Sequence, residues 1–530
     1  MLRIRDIPLS PDADRPVKLR EAASARLGVP ASETGDMKVV RRSIDARHRD
    51  RVRLLYTVDV AVPDEEALLS SGKMKLSAAP EEQYALPFPR QMPLERPVVA
   101  GFGPAGMFIA LALAEAGLRP IVLERGEPVE RRSEKVRLFR ETGVLDTESN
   151  VQFGEGGAGT FSDGKLNSGI GGREAGYILR RFVDFGARER ILWDAAPHVG
   201  TDVLQKVVKG LRRHILDLGA EIRFSTRLAD VELSGGILRS VAVISGESRE
   251  TIPCSALFLA TGHSAGDTFE MLLRRGAMLE PKPFAMGVRI EHLQRDIDRR
   301  QYGRWAGHPA LGAAPYKLAV HLPDGTGVYT FCMCPGGYVM AAASEEGGVV
   351  TNGMSYSGRA GENANSALLV SLRPEQFPEK DALGGLRWQR AIERRAFDYG
   401  GGDYVAPAQR LGDFLRGMPS ASHGRVEPTY TPGVRFGSME DVLPKSITDP
   451  MRAAVPLLNK KLPGFGDSDA LLTGPETRSS SAVRILRGED RQAIGIPGLY
   501  PCGEGAGWAG GIVSAAADGL KSAAAFLSQL

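Results

Sequence analysis

Apolar and polar positions divide the chain into stretches of different period. LRIRDIPL reads as a strand, VKLREAASARLG as a polar helix, and MKVVRRSID and RVRLLYTVDVAV as β-branched strands. The order strand–helix–strand–strand predicts a small α+β unit over residues 1–75, with EEALLSSGK as a further helix. Residues 76–96 carry four prolines and little periodicity, which predicts a linker. RPVVAGFGPAGMFIALALAEAGLRPIVLERG then runs as buried strand, glycine turn, apolar helix and second strand, one complete βαβ unit. DVLQKVVKGLRRHILDLG predicts a helix, and AEIRFSTRLADVEL, ILRSVAVI and ETIPCSALFLATG predict strands. Residues 281–464 are mixed and punctuated by proline and glycine. GLYPCGEGAG returns to strand, glycine turn and helix. The expected division is therefore a nucleotide-binding domain from 97–280 and 465–530, with 281–464 inserted as a substrate or cap domain.

Composition changes this picture in one respect. Sixty-three of the 530 residues are glycine, concentrated in GFGPAG, FGEGGAG, CPGG and GEGAGWAGG. Such clusters suit backbone pressed against a ligand. The formal charge of +3 and the absence of a basic stripe argue against a nucleic-acid partner. Four cysteines are too few for a disulfide scaffold of this length. The first residues lack the pattern of a signal peptide, and the apolar stretch near 107–116 is too short to span a bilayer. The expected location is the cytoplasm, with no membrane partner. No metal site is expected, because Cys332 and Cys334 supply half a tetrahedral set and no histidine cluster completes it.

Gly101, Gly103 and Gly106 have GxGxxG spacing between a buried strand and an apolar helix. Gly101 allows the tight turn, Gly103 lets backbone approach a pyrophosphate, and Gly106 lets helix and strand pack closely. Pro104 and Ala105 open the helix, whose free amides and dipole suit phosphate. Glu124 ends the next strand, placed to accept from ribose hydroxyls, with Arg125 beside it. NAD and FAD both use this unit. The ERG ending, the SALFLATG strand carrying Thr261 and Gly262, and the late glycine turn before a second apolar helix favour FAD.

Together these pieces resemble the glutathione-reductase-type FAD fold, a Rossmann-like α/β domain. With FGEGGAGTFSDGKLNSG, CMCPGG, ETRSSSAVRI and YPCGEGAGWAGGI, essentially the whole chain resembles the bacterial family of uncharacterised FAD-dependent dehydrogenases. That family has BaiN-like or aminoacetone-oxidase-like relatives. The resemblance implies FAD, a two-domain flavoenzyme and no defined substrate. It also implies that Gly503 and Glu504 reach the ribityl and pyrophosphate region, where many relatives carry aspartate. Gly511 and Ile512 would begin a helix aimed at the flavin's N1–C2=O edge. Leu228 joins the expected cofactor contacts.

The glycine-rich loop from Phe153 is expected at the isoalloxazine and ribityl chain, through Gly159 and Ser162, with Asp163 and Lys165 as polar groups reaching the ring. Lys165 could stabilise anionic reduced flavin. Cys332 and Cys334, if in a strand, share a face. They read either as two small buried apolar residues or as a thiol pair beside the flavin. Arg478 and Arg484 read as clamps for an acidic substrate or as surface ion pairs. His263 follows ATG directly. Tyr316 and Lys317 are weaker candidates for the substrate side. The expected function is an FAD-dependent oxidoreductase, a dehydrogenase passing a hydride between a small-molecule substrate and flavin N5. The alternatives are a nicotinamide-dependent flavin reductase visited transiently by NAD(P)H, an RNA-modifying flavoprotein and a non-catalytic scaffold.

Overall fold

Three short apolar runs, VVA, IVL and LFL, are buried on both faces, as strands covered by helices must be. In the computed structural model they form the middle of a parallel five-stranded sheet. Its order is Leu499–Pro501, Leu257–Leu259, Val98–Ala100, Ile121–Leu123, Glu221–Arg223. Helices Pro104–Glu115 and Ile512–Gln529 pack on each other. Phe258 stacks on Tyr500 at 4.9 Å, and Phe526 meets both rings edge-on. The described residues are 1–70, 76–78, 84–166 and 172–530. The end of EEALLSSGK, part of the expected linker and the last residues of the glycine-rich loop lie outside them.

A second, seven-stranded sheet has the order Ala319–His321, Gly327–Cys334, Asn363–Leu372, Phe284–Leu293, Leu471–Glu476, Ala406–Arg410, Val434–Phe436. Only its last pair is parallel. Phe284–Leu293 is buried at every position, as a central strand covered on both faces must be. Leu471–Glu476 belongs to this sheet, although the sequence reading assigns everything after 465 to the parallel one. Its LLTGPE is fully buried and carries no signal of which sheet it joins. Between the two sheets, Leu279–Pro281 pairs antiparallel with Val483–Ile485. The chain thus leaves and re-enters the parallel unit along one two-stranded tie.

The N-terminal residues form an antiparallel sheet in the order Met37–Asp45, Arg53–Val60, Leu2–Leu9, Ser77–Ala78. Helix Pro16–Leu27 places Leu19, Ala23 and Leu27 on its buried stripe. Its apolar side chains merge with the core of the seven-stranded sheet. Arg42 joins the unit to the rest, donating to Asp14 and to the Ala310 carbonyl and lying 3.7 Å from Asp194. Among the described residues no helix is long and apolar enough to cross a membrane.

Two helical glycines give opposite expectations. A Cβ on Gly519 would lie 2.6 Å from the Ala105 carbonyl oxygen, whereas one on exposed Gly176 would meet nothing within 4 Å. Gly519→Ala should force the two helices apart and cost about 1–3 kcal/mol. Gly176→Ala should stabilise by about 0.5–1 kcal/mol, the helix-propensity gain alone. Urea denaturation of both variants checks the signs.

Candidate functional site

The turn after Val98–Ala100 is closed by backbone contact. Gly101 has φ +96°, and a Cβ there would sit 2.3 Å from the Ala260 carbonyl oxygen. A Cβ on Gly106 would sit 1.9 Å from the Gly101 oxygen. No side chain caps helix Pro104–Glu115, and its first bonded amide is Met107, donating to Gly103. The amides of Ala105 and Gly106 therefore face outward, ready for an anion. Helix Ile512–Gln529 likewise starts uncapped after Gly511, at φ +82°. A Cβ on Gly159 would lie 3.0 Å from Ile512 and 3.9 Å from Pro104, so the glycine-rich loop meets both helix starts. The ATG and GEG turns also touch, since a Cβ on Gly505 would lie 2.4 Å from the Gly262 oxygen. Around Gly262, Gly510 and Gly511, by contrast, a Cβ would meet nothing within 4 Å. Two uncapped helix starts beside open glycine backbone fit a dinucleotide cofactor.

Two buried charges shape the loops. Glu124 accepts from the Phe102, Gly126 and Gly154 amides at 2.8, 2.9 and 3.0 Å. Both of its oxygens are thus engaged by backbone, with room for one further donor. Arg132 is fully buried and donates to the carbonyls of Asn150, Val151, Gly154, Glu155 and Gly157 at 2.6–3.2 Å. Burial lowers its pKa to about 10, against the pull of Glu124 and Glu155. Sequence reading missed Arg132, which sits in an ordinary charged helix. It also missed Asp518, whose carboxylate accepts from the Gly503 amide at 2.8 Å and is held by Arg487 at 2.6 Å. The ADG inside the C-terminal motif was the available signal for Asp518.

At the opposite end, Asp163, Lys165, Cys332 and Cys334 come together. Asp163 is buried and bound by Arg359 at 2.5 and 3.0 Å and by Ser355. The Lys165 ammonium lies 3.4 Å from Asp163, and its buried nitrogen has no hydrogen-bond partner among the described residues. Burial pulls the Lys165 pKa down, but Cys334, Cys332 and Asp163 outweigh it, so the net shift is upward. Gly327–Cys334 carries a bulge between Phe331 and Cys334, and Cys332 has φ +42°. Arg289 donates to the Cys332 carbonyl at 3.0 Å and lies 3.8 Å from the Cys334 sulfur. Glu504 faces this group: burial raises its pKa, Lys282 and the Gly511 amide oppose the rise, and Cys332 adds to it. Its side chain keeps 28% exposure, so water still moderates the shift.

Several expected contacts are committed elsewhere. Asp163 holds Arg359 rather than reaching outward, because burial requires its charge to be paired. The Ser162 hydroxyl donates to Gly159 and accepts from Gly164, which closes a turn inside the loop. Arg125 stacks 4.1 Å over Phe153 and pairs with Glu148 and Asp267. Leu228 is buried in strand Arg227–Ser234 of a three-stranded antiparallel sheet. Arg478 is buried against Glu393 at 2.6 and 2.8 Å, which leaves no clamp for a substrate. Arg484 lies at the rim, 3.4 Å from Glu280 and 5.0 Å over Trp508. Tyr316 is a core residue, its hydroxyl 3.0 Å from Ser366. His263 lies 3.9 Å from Glu504, and burial with the nearby Arg478 pushes its pKa down to about 4. Its imidazole is therefore neutral near pH 7. Among the described residues no three His, Cys, Asp or Glu converge as a metal site.

Over 525 residues the chain is 44% identical to an uncharacterised protein of Clostridium beijerinckii, covering 98% of each. The chain belongs to one family with that clostridial protein. Residues 283–479 match the family model described as "FAD-dependent protein, C-terminal domain-like", and residues 1–61 match a "Domain of unknown function (DUF8436)". FAD is the cofactor. Among solved structures, the chain resembles a geranylgeranyl bacteriochlorophyll reductase-like protein of Thermoplasma acidophilum, 13% identical over 83% of this chain and 80% of that one, at TM-score 0.36. It also resembles a glycine oxidase of Bacillus cereus, 12% identical over 82% and 96%, at TM-score 0.30. Both likenesses are loose.

Glu124→Ala removes an acceptor from three buried amides. The apoprotein should lose at least about 2 kcal/mol, and FAD should bind more weakly. Thermal unfolding with and without FAD checks this; unchanged apoprotein stability would show that Glu124 does not hold the loops.

Proposed function

We propose that this FAD-dependent protein is an oxidoreductase acting on a small organic substrate held between the glycine-rich loop and the seven-stranded sheet. FAD supplies the two-electron chemistry, taking or giving a hydride at N5. Support comes from the meeting of Lys165, Cys332, Cys334 and Glu504 beside the open glycine turns. A site that held its cofactor as a scaffold alone would have no need of an unsolvated ammonium there.

In this reading, the uncapped start of helix Pro104–Glu115 and the turn at Gly101–Gly106 bind the pyrophosphate. The Ile512–Gln529 helix start and Lys165 favour negative charge on the ring. Asp163 holds Lys165 by an ion pair at 3.4 Å and shares its carboxylate with Arg359. Lys282 and Arg484 give the rim a positive lining suited to a negatively charged substrate. Burial lowers the Lys282 pKa, as does Arg484, while Glu504 raises it. A cytoplasmic setting agrees with a chain of this length that has only four cysteines. The finer likeness to the BaiN-like group rests on sequence motifs.

Two measurements follow. Lys165→Met should keep FAD bound and lower its two-electron midpoint potential by roughly 30 mV, the size of a 1.4 kcal/mol interaction. An unchanged potential would place Lys165 away from the ring. Mixing oxidised protein anaerobically with NADH or NADPH should bleach the flavin band slowly or not at all. The reason is that the sequence offers one complete βαβ unit with a GxGxxG turn, at Gly101 to Gly106, which FAD fills. Fast, saturable bleaching would make the protein a nicotinamide-dependent reductase.

A further inference from the structure

The four cysteines fall into two kinds. Cys254 and Cys502 are buried singly, and burial pushes both thiols up to about 12. Cys332 and Cys334 stand two apart at a strand end, flanked by Lys165 from one unit and Arg289 from the other. Arg289 is itself buried and anchored by Glu476 at 3.2 Å and by Asn365. Cys332 is partly accessible, while Cys334 is fully buried.

The backbone carries a second sign. Left-handed φ is unfavourable at a non-glycine residue, and such conformations cluster at functional sites. Cys332 carries this strain at the bulge of its strand. Two apolar residues filling a core would need neither the bulge nor the cations. The Cys334 sulfur already turns back to 3.2 Å from the Cys332 carbonyl.

We propose that Cys332 and Cys334 are a redox-active dithiol that exchanges two electrons with the bound FAD. The proposal rests on the oxidoreductase reading above. One S–S bond forms between the two sulfurs and the Cys334 S–H bond breaks. The Cys332 thiolate and Cys334 thiol lose two electrons, and oxidised FAD gains them with the Cys334 proton. Thiolate, thiol and FAD thus become disulfide and singly protonated, anionic reduced FAD, with charge and protons conserved. Cys332 is the thiolate of the pair: the Cys334 thiol lowers its pKa most, burial opposes, and Lys165 and Arg289 lower it further. Cys334 is raised by burial and keeps its proton.

The test counts electrons and thiols. Holoprotein is reduced anaerobically with dithiothreitol, desalted, exposed to air, then denatured and titrated for thiols. The count should fall from four to two, with an intact mass 2 Da lower. Apoprotein treated identically should keep four. Dithionite titration of the air-oxidised holoprotein should consume four electrons per FAD, and two in Cys332→Ser/Cys334→Ser. The wild-type counts need no variant to fold. Holoprotein that keeps four thiols and takes two electrons overturns the dithiol and leaves the flavoenzyme reading standing. Bound flavin that accepts no electrons from dithionite overturns both.

Discussion

A loop made largely of glycine has few side chains with which to hold itself, and ordering it costs more backbone entropy than ordering any other sequence. In this protein the restraint comes from outside the loop. Arg132 gathers three of its carbonyls and those of Asn150 and Val151 just before it, and Glu124 gathers three amides from the loop and the two turns beside it. Each charge is buried, and each would be costly without the backbone groups that solvate it. The arrangement also explains the glycine. A Cβ on Gly154 would lie 2.4 Å from the Arg132 side chain, and one on Gly126 would lie 2.6 Å from Gly154. The loop is rich in glycine because an arginine and a neighbouring turn occupy the space its side chains would need.

The same restraint positions the rest of the site. Once residues 150–157 are fixed against the first turn, Gly159 reaches both helix starts and the chain runs on through Asp163 to Lys165. The seven-stranded sheet arrives separately, over the Leu279–Pro281 and Val483–Ile485 tie, and brings Cys332, Cys334 and Arg289. Asp163 bridges the two units, binding Arg359 and Ser355 from the inserted segment. The cluster of Asp163, Lys165, Cys332 and Cys334 therefore exists only when both units are in place.

What was legible in the sequence was what depends on near neighbours. The βαβ unit, the ATG strand and the late glycine turn announce themselves through period and local chemistry, and Gly101, Gly106 and Gly505 have the tight contacts their motifs imply. The N-terminal order of strand, helix, strand, strand was equally plain. What stayed hidden depends on distant partners. Arg132 lies in a helix whose sequence is merely charged. Arg478 could be a clamp or an ion pair until Glu393 is seen against it. LLTGPE has the apolar content of either sheet, and only pairing with Phe284–Leu293 decides. Asp163 and Ser162 were read as facing the ring because they are polar in a ligand loop, but buried polar groups satisfy nearby donors and acceptors first.

Under the proposed dithiol, the charges of this cluster suit a thiolate and a flavin to one another. Lys165, Arg289 and Arg359 bring three positive charges, while Asp163, Glu476 and Glu504 offer three carboxylates, of which burial raises Glu504 as well as Glu476. Burial raises Glu476 to about 7, against Arg289, so part of that compensation is lost near neutrality. The Cys332 thiolate supplies the missing negative charge. If Cys332 and Cys334 close into a disulfide, that charge leaves the sulfur, and the cations would be left in excess in a poorly solvated space. In that proposal an anionic reduced flavin beside Lys165 would restore the balance, because the charge lost by the sulfur would appear on the ring. The cations then favour neither oxidation state of the pair taken alone. They favour keeping one negative charge among sulfur and ring, which is the condition for electrons to move between them in either direction at small cost.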